Sequence, residues 1–237
     1  MHGSGTTNPS KYFWEAMSLI TQRSKVPVHM TYRAVGSSTG QKEFVGSLNN
    51  FFALNDFGAG DIPMTKSRYD QVVARGRQVA HIPFALGAIG VFHSLGPPGQ
   101  QLELDLDACL LAKIFSRQIT KWDDPEIRAA NPNITWSDPY FISREIKVVH
   151  RVHGSSSTAG FTSYLQKKCP AYWTLGAGST ITWPAGTAEA QGSGGMSEYI
   201  DSNDGAIGYI DAGHGHSKGL TEVYLMNAEG MPRRHPA

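Results

Sequence analysis

Three times in this chain a short turn of glycine and small hydroxyl residues opens a helix. Gly3-Ser4-Gly5-Thr6-Thr7-Asn8 leads into the first, Gly36-Ser37-Ser38-Thr39 into the second and Gly154-Ser155-Ser156-Ser157-Thr158 into a third. The first turn of any helix presents backbone N–H groups without intrahelical partners and a partial positive charge. One such turn is an ordinary capped helix. Three of them, with small side chains that let a ligand come close, are the parts of an anion site if the helix starts converge.

The stretches between these turns alternate. Residues 9–22 are predicted as a helix with Tyr12, Phe13, Ala16, Met17 and Ile20 on one apolar stripe. Pro9 suits its first position, with Thr7 or Asn8 as the cap. Residues 28–32 read as a strand, and Ser38 with Gln41 has capping-box spacing for the second helix. Residues 57–61 form a short strand, after which Ile62-Pro63-Met64 leads into another helix. Residues 79–83 and 88–93 are strands. A helix begins at Asp105 or Asp107 and runs to about Ile114, burying Leu106, Leu110, Leu111, Ile114 and Phe115. A strand at 145–150 feeds the third turn and a helix over 159–167. Residues 176–195 form a long loop, and 206–210 and 222–226 are strands. The order β-α-β-α with short turns gives an α/β fold. The chain has no internal repeat and no low-complexity linker.

Composition excludes several function classes. Lys+Arg 21 against Asp+Glu 20 leaves a net charge of +1, so no global field recruits nucleic acid, and an anion must be held by local geometry. No apolar run reaches the ~20 residues of a membrane helix. The chain opens on Met1-His2-Gly3 with no leader ahead of the first motif, which leaves an intracellular protein or one trimmed of its leader. Cys109 and Cys169 fit no metal or redox spacing. Cys109 lies on an apolar helix face and reads as a buried free thiol, with a disulfide to Cys169 as the alternative. Asn133-Ile134-Thr135 is a glycosylation sequon that acts only in a eukaryotic secretory route.

Two single residues add to the turns. Arg151 ends the strand before the third turn, and its fork of donors suits a tetrahedral oxyanion; the competing reading is a surface ion pair. Asp61 follows Phe57-Gly58-Ala59-Gly60 at another strand end, where the competing reading is a cap for the next helix. Other candidates are weaker. His214-Gly215-His216 reads as surface loop, and no metal site or cofactor is expected. Gly192-Ser193-Gly194-Gly195 reads as a turn before a helix starting near Met196, since it lacks the ending of a nucleotide P-loop. Asp123-Asp124, before Pro125, reads as a turn and cap. No nucleophile elbow occurs.

Taken in order, Gly3-Ser4-Gly5-Thr6-Thr7, Val35-Gly36-Ser37-Ser38, Phe57-Gly58-Ala59-Gly60-Asp61-Ile62-Pro63 and Ile82-Pro83 resemble the phosphate-binding proteins that serve bacterial ABC phosphate transporters. So do Ile114-Phe115-Ser116-Arg117-Gln118-Ile119-Thr120-Lys121-Trp122-Asp123-Asp124-Pro125, His150-Arg151 with its serine turn, and Gly205-Ala206-Ile207-Gly208-Tyr209-Ile210. The resemblance implies a two-lobe periplasmic-binding-protein fold of type II, with inorganic phosphate in the interlobe cleft and no enzymatic activity. It implies that Thr7, Asn8, Ser37 and Asp61 hold the ligand from one lobe and Arg151, Ser155, Ser156 and Ser157 from the other. It also implies an extracytoplasmic monomer that serves a transporter membrane component or a receptor. The lobes are expected at 1–84 with 211–237, and at 85–210. The rival readings are a diverged sensing or adhesion ectodomain of the same fold and a phosphate-ester hydrolase.

Two features depart from the family pattern. His153 stands where an aspartate usually orients the arginine, and Ser156-Ser157 stand for the usual Gly-Thr. The chain also stops soon after Met226-Asn227-Ala228-Glu229-Gly230, where the family usually continues with a final helix, so it reads as a short or truncated version.

Overall fold

The computed structural model describes residues 1–97 and 100–226. Its contacts divide the chain into two units, Met1–Gly87 with His153–Ser156, and Ala88–Val152 with the described residues from Ser157 onward.

In the first unit, β1 (His2–Gly5), α1 (Ser10–Arg23), β2 (Thr31–Ala34), α2 (Ser37–Val45), β3 (Phe57–Ala59) and α3 (Lys66–Val73) follow one another along the chain. The strands form a parallel sheet in the order β2-β1-β3, with Gly5 opposite both Ala34 and Ala59. Parallel neighbours need a crossover, which α1 and α2 supply. Past His2 the middle strand is made of small residues, Gly3-Ser4-Gly5, for a steric reason. A Cβ on Gly40 of α2 would lie 2.4 Å from the Gly5 Cα, and a Cβ on Gly5, at φ +151°, would lie 1.9 Å from the Ala59 carbonyl oxygen. Helix and strand therefore meet backbone to backbone, a contact only glycine permits.

The core of this unit is small: Met17, Tyr32 and Ala59, with Phe13 and Phe57 packed around them. Below β1 lies a buried carboxylate. Glu43 of α2 accepts from Ser4 Oγ and from Asn55 Nδ2 (3.3 Å), and pairs with Arg33 Nη2 at 2.7 Å. Burial pushes its carboxyl up, but the bonds from Ser4, Arg33 and Asn55 outweigh that and hold it below the usual carboxylate range.

Several expectations change here. The first-turn sequence contributes a strand, β1, before it turns. The first helix is capped by Pro9 with no side-chain bond, so neither Thr7 nor Asn8 caps it. Of its stripe only Met17 is buried, while Tyr12 and Ile20 are exposed, because a three-stranded sheet covers little of a 14-residue helix. The Ser38–Gln41 capping box does not form. Gly36 is the cap, and Gln41 bonds the Ile62 carbonyl instead. Residues 79–83 make no strand: Pro83 lacks an N–H, and no described strand offers them a ladder.

The second unit contains β4 (Ile89–His93), β5 (Asp105–Leu106), α4 (Ala108–Phe115), α5 (Pro125–Ala130), β6 (Lys147–Arg151), α6 (Ser156–Lys168, whose first residue groups with the first unit), β7 (Ala188–Ala190), α7 (Gly192–Ser202), β8 (Ala206–Asp211), α8 (Ala212–Lys218), β9 (Thr221–Glu222) and β10 (Tyr224–Leu225). Its mixed sheet runs β7-β6-β8-β4-β9, with β6 parallel to both neighbours and β4 antiparallel to both of its own. β5 and β10 form a separate parallel pair.

The predicted buried face of α4 is observed, with Leu106, Leu110, Leu111, Ile114 and Phe115 all in the core. Asp107 is its cap, accepting from the Cys109 and Leu110 N–H groups at 2.8 and 2.7 Å; Asp105 belongs to β5. The Trp-Asp-Asp-Pro motif is structural. Trp122 is wholly buried and donates to the Gly205 carbonyl at 3.0 Å, Asp124 caps α5, and Pro125 takes its first position.

Corrections follow here too. Cys109 is not a free thiol but is disulfide-bonded to Cys169, 5.2 Å away between Cα atoms, which ties α4 to the end of α6. Gly192–Gly195 form the first turn of α7 rather than a turn ahead of it. His214 and His216 lie in α8 rather than a loop, where His216 Nε2 is 3.2 Å from Glu222 Oε2. Residues 211–226 do not return to the first lobe. Glu222 pairs with Phe92 on β4, and Ala212 donates to the Ala88 carbonyl, so they extend the second unit's sheet. Residues 227–237, also expected in the first lobe, lie outside the described residues.

Two outcomes test this fold. The disulfide closes a loop of sequence separation 60. Replacing both cysteines by alanine is therefore expected to lower unfolding free energy in urea by about 4 kcal/mol on loop-entropy grounds. Glu43, whose folded pKa is depressed, contributes stability that is present above its unfolded value of about 4.3 and is lost as pH falls through the lower folded value. Glu43→Gln is expected to flatten the acid limb of a stability–pH curve, and an unchanged limb would contradict the buried pairing.

Candidate functional site

The glycine contact between β1 and α2 decides where the first two turns end. At the end of β1 the Gly5 carbonyl accepts from the Val35 and Gly36 N–H groups at 3.0 and 2.7 Å, tying the start of α2 to the end of the strand. Gly36 sits at φ +94° as the cap of α2, which points Ser37 inward, where it is buried. On the other side, Thr6 N–H donates to the Ala59 carbonyl at 2.9 Å, and Tyr32 Oη donates to the Thr6 carbonyl at 2.7 Å. Burial, and then the nearby Asp61 charge, push the Tyr32 phenol well above its usual range, so it stays a donor.

These turns deliver hydroxyls and an amide to one carboxylate oxygen. Asp61 Oδ2 accepts from Thr6 Oγ1 at 2.6 Å, Asn8 Nδ2 at 3.2 Å, Ser37 Oγ at 3.4 Å and Ser156 Oγ. Ser37 Oγ also donates to Ser156 Oγ at 3.2 Å. Asp61 does not cap the next helix; Thr65 does, accepting from the Arg68 N–H. Asp61 is itself exposed, and its partners in this unit are all neutral donors.

Four predicted residues (Asn8, Ser37, Asp61 and Ser156) are thus brought together. Thr7 is buried, and its carbonyl accepts from the Ser10 hydroxyl at 2.8 Å, which stitches the turn to α1. Thr6, which sequence reasoning did not single out, is the threonine that bonds Asp61. In a turn without period-2 alternation, adjacent threonines carry no signal of which one faces inward.

In the second unit, Arg151 ends β6 and is buried, as are Ser157 and Thr158 at the head of α6. Ser155, which groups with the first unit, is buried as well. The surface-pair reading of Arg151 therefore fails on burial. Tyr209 on β8 orients this stretch: its Oη lies 2.7 Å from Thr158 Oγ1 and accepts from the Arg151 N–H at 3.4 Å. Burial pushes the Tyr209 phenol up to about 12 against the opposing pull of Thr158 and Arg151, so it is neutral at physiological pH. The tyrosine was legible only as part of a strand motif, because nothing in a sequence marks a hydroxyl that points at a turn 50 residues away. His150 stacks on Trp183 at 4.7 Å and packs the strand ahead of the arginine. His153 is exposed.

The chain is 29% identical over 230 residues to phosphate-binding protein PstS of Haemophilus influenzae, a match covering 97% of this chain and 63% of that protein. It is 31% identical over 206 residues to phosphate-binding protein PstS of Xylella fastidiosa, covering 85% and 51%. It therefore spans between about half and just under two thirds of the length of these relatives. Among solved structures, the ancestral soluble variant of the Human Phosphate Binding Protein aligns with a TM-score of 0.69 at 20% identity, covering 98% of this chain and 64% of that one; at that identity the likeness concerns the fold. A family model described as a PBP superfamily domain matches residues 1–232. Together with the parallel α/β organisation and the order of its glycine turns, that match makes this chain a member of the PBP superfamily.

Proposed function

We propose that this chain binds hydrogen phosphate, through Thr7, Asn8, Ser37, Asp61, Arg151, Ser155, Ser156 and Ser157, with Thr6 added to that set. The observation that carries the reading is Asp61: a carboxylate ringed by neutral donors on glycine turns. A carboxylate beside an anion is repulsive unless the anion gives it a proton. Hydrogen phosphate has one to give; sulfate is fully ionised at neutral pH and has none. A site built around one specific hydrogen bond rejects an analogue that lacks it by about 10⁴-fold. Arg151, with its planar fork, supplies the positive charge. The names of the relatives, both phosphate-binding proteins, support the same ligand.

The role is capture and delivery rather than catalysis, to the membrane component of an ABC transporter or to a receptor, by a monomer in an extracytoplasmic compartment. The Cys109–Cys169 disulfide supports an oxidising compartment. No described helix is long and apolar enough to cross a membrane.

Calorimetry on the purified chain tests the site. Arg151→Ala is expected to weaken phosphate binding about a hundredfold and Ser37→Ala about tenfold; unchanged affinity in both would sink the assignment. Asp61→Asn is expected to narrow the gap between phosphate and sulfate, and wild-type protein that binds the two equally well would overturn the argument from Asp61. No release of phosphate from a generic phosphomonoester is expected, with or without divalent metal.

A further inference from the structure

Asp61 Oδ2 has more donors than it has lone pairs. Four side chains reach it, and one carboxylate oxygen offers two lone pairs. Asn8 and Ser37 are the distant ones, at 3.2 and 3.4 Å, and Ser37 is nearer to Ser156, at 3.2 Å. Thr6 and Ser156 are left as the close donors. Thr6 is pinned on both sides of its peptide, by Ala59 and by Tyr32. The Ser156 hydroxyl is a free rotor that receives from Ser37 and gives its one proton to Asp61.

We propose that Ser156 sets the anion selectivity of this site: its hydroxyl supplies Asp61 with the proton that a protonated anion would otherwise bring, so the carboxylate is partnered whichever anion binds. This rests on the phosphate reading above and sharpens it. With Ser156 in place, a fully ionised oxyanion meets a carboxylate that already has a donor, and the penalty on it falls. Hydrogen phosphate displaces the Ser156 proton with its own, and the hydroxyl turns away from Asp61. Without the hydroxyl, Asp61 depends on the ligand for that bond, and discrimination against sulfate rises.

The test is the ratio of phosphate to sulfate affinity. Phosphate is measured by direct calorimetry and sulfate by its displacement with phosphate. The proteins compared are wild type, Ser156→Ala, Ser156→Gly, Asp61→Asn and Asp61→Asn combined with Ser156→Ala. The ratio is expected to rise about tenfold in both Ser156 variants, the worth of one hydrogen bond to a charged acceptor. It is expected to stay fixed when Ser156 is replaced in the Asp61→Asn background, because coupled residues show their coupling only when both are present. A loss of packing alone would move the ratio equally in the two backgrounds. Wild-type protein that binds phosphate, with a ratio that Ser156 replacement leaves unmoved or moves equally in both backgrounds, overturns the role of Ser156 and leaves the phosphate reading standing. Wild-type protein that takes up no phosphate overturns that reading and this inference with it.

Discussion

The approach of α2 to β1 through Gly40 and Gly5 is the contact on which the first unit turns. A Cβ at either position would overlap backbone atoms of the neighbouring strands. Past His2 the strand carries only small residues, and the helix starts where the strand stops. The Gly5 carbonyl therefore reaches the first N–H groups of the second turn, and Thr6 reaches the end of β3. Three segments far apart in sequence are locked end to end by backbone bonds. Their first side chains beyond the lock (Thr6, Ser37 and Asp61) have little choice but to meet.

Two carboxylates of this unit, Glu43 and Asp61, show how similar groups are turned to different ends. Glu43 is buried, faces Arg33, and accepts from Ser4 and Asn55. Removing water from a charge is costly, and a cation with two further donors offsets that cost. Such a group is structural, because both of its oxygens are engaged inside the unit. Asp61 is exposed, and the partners found for it in this unit are neutral. Neutral donors orient a carboxylate without cancelling its charge. An uncancelled carboxylate is what a site needs if it is to distinguish an anion that carries a proton from one that does not.

The sequence carried the class of fold and the place of the site better than the identity of each contact. Glycine and hydroxyl turns at helix starts were legible because only small residues fit where backbones touch, and α4 was legible because its apolar face has the helical period. Three kinds of feature were not. Exposed Tyr12 and Ile20 look like core residues by period alone, since amphipathicity says that one face is covered but not how wide the cover is. The bond from Thr6 to Asp61 depends on a turn conformation that no periodicity encodes. The strand pairing of residues 221–222 with β4 is long-range, and local patterning does not say which sheet edge a terminal strand will meet.

The second unit carries the same lesson for motifs. Trp-Asp-Asp-Pro is among the most specific stretches of the chain, yet each of its residues is spent on architecture: the indole on the Gly205 carbonyl, Asp123 on the Ser143 N–H, Asp124 on the cap of α5 and Pro125 on its first turn. The Arg-to-serine turn is the other specific motif of the chain, and its arginine and three serines are all buried. Glycine and alanine would fill the same space at the head of a helix with fewer polar groups to satisfy. A run of buried hydroxyls is costly unless something polar meets them; Tyr209 meets Thr158, and Asp61 and Ser37 meet Ser156. Two specific motifs thus serve different ends: one is spent on caps and a backbone carbonyl, the other sets buried hydroxyls after a buried arginine, so motif specificity alone does not separate fold from candidate site.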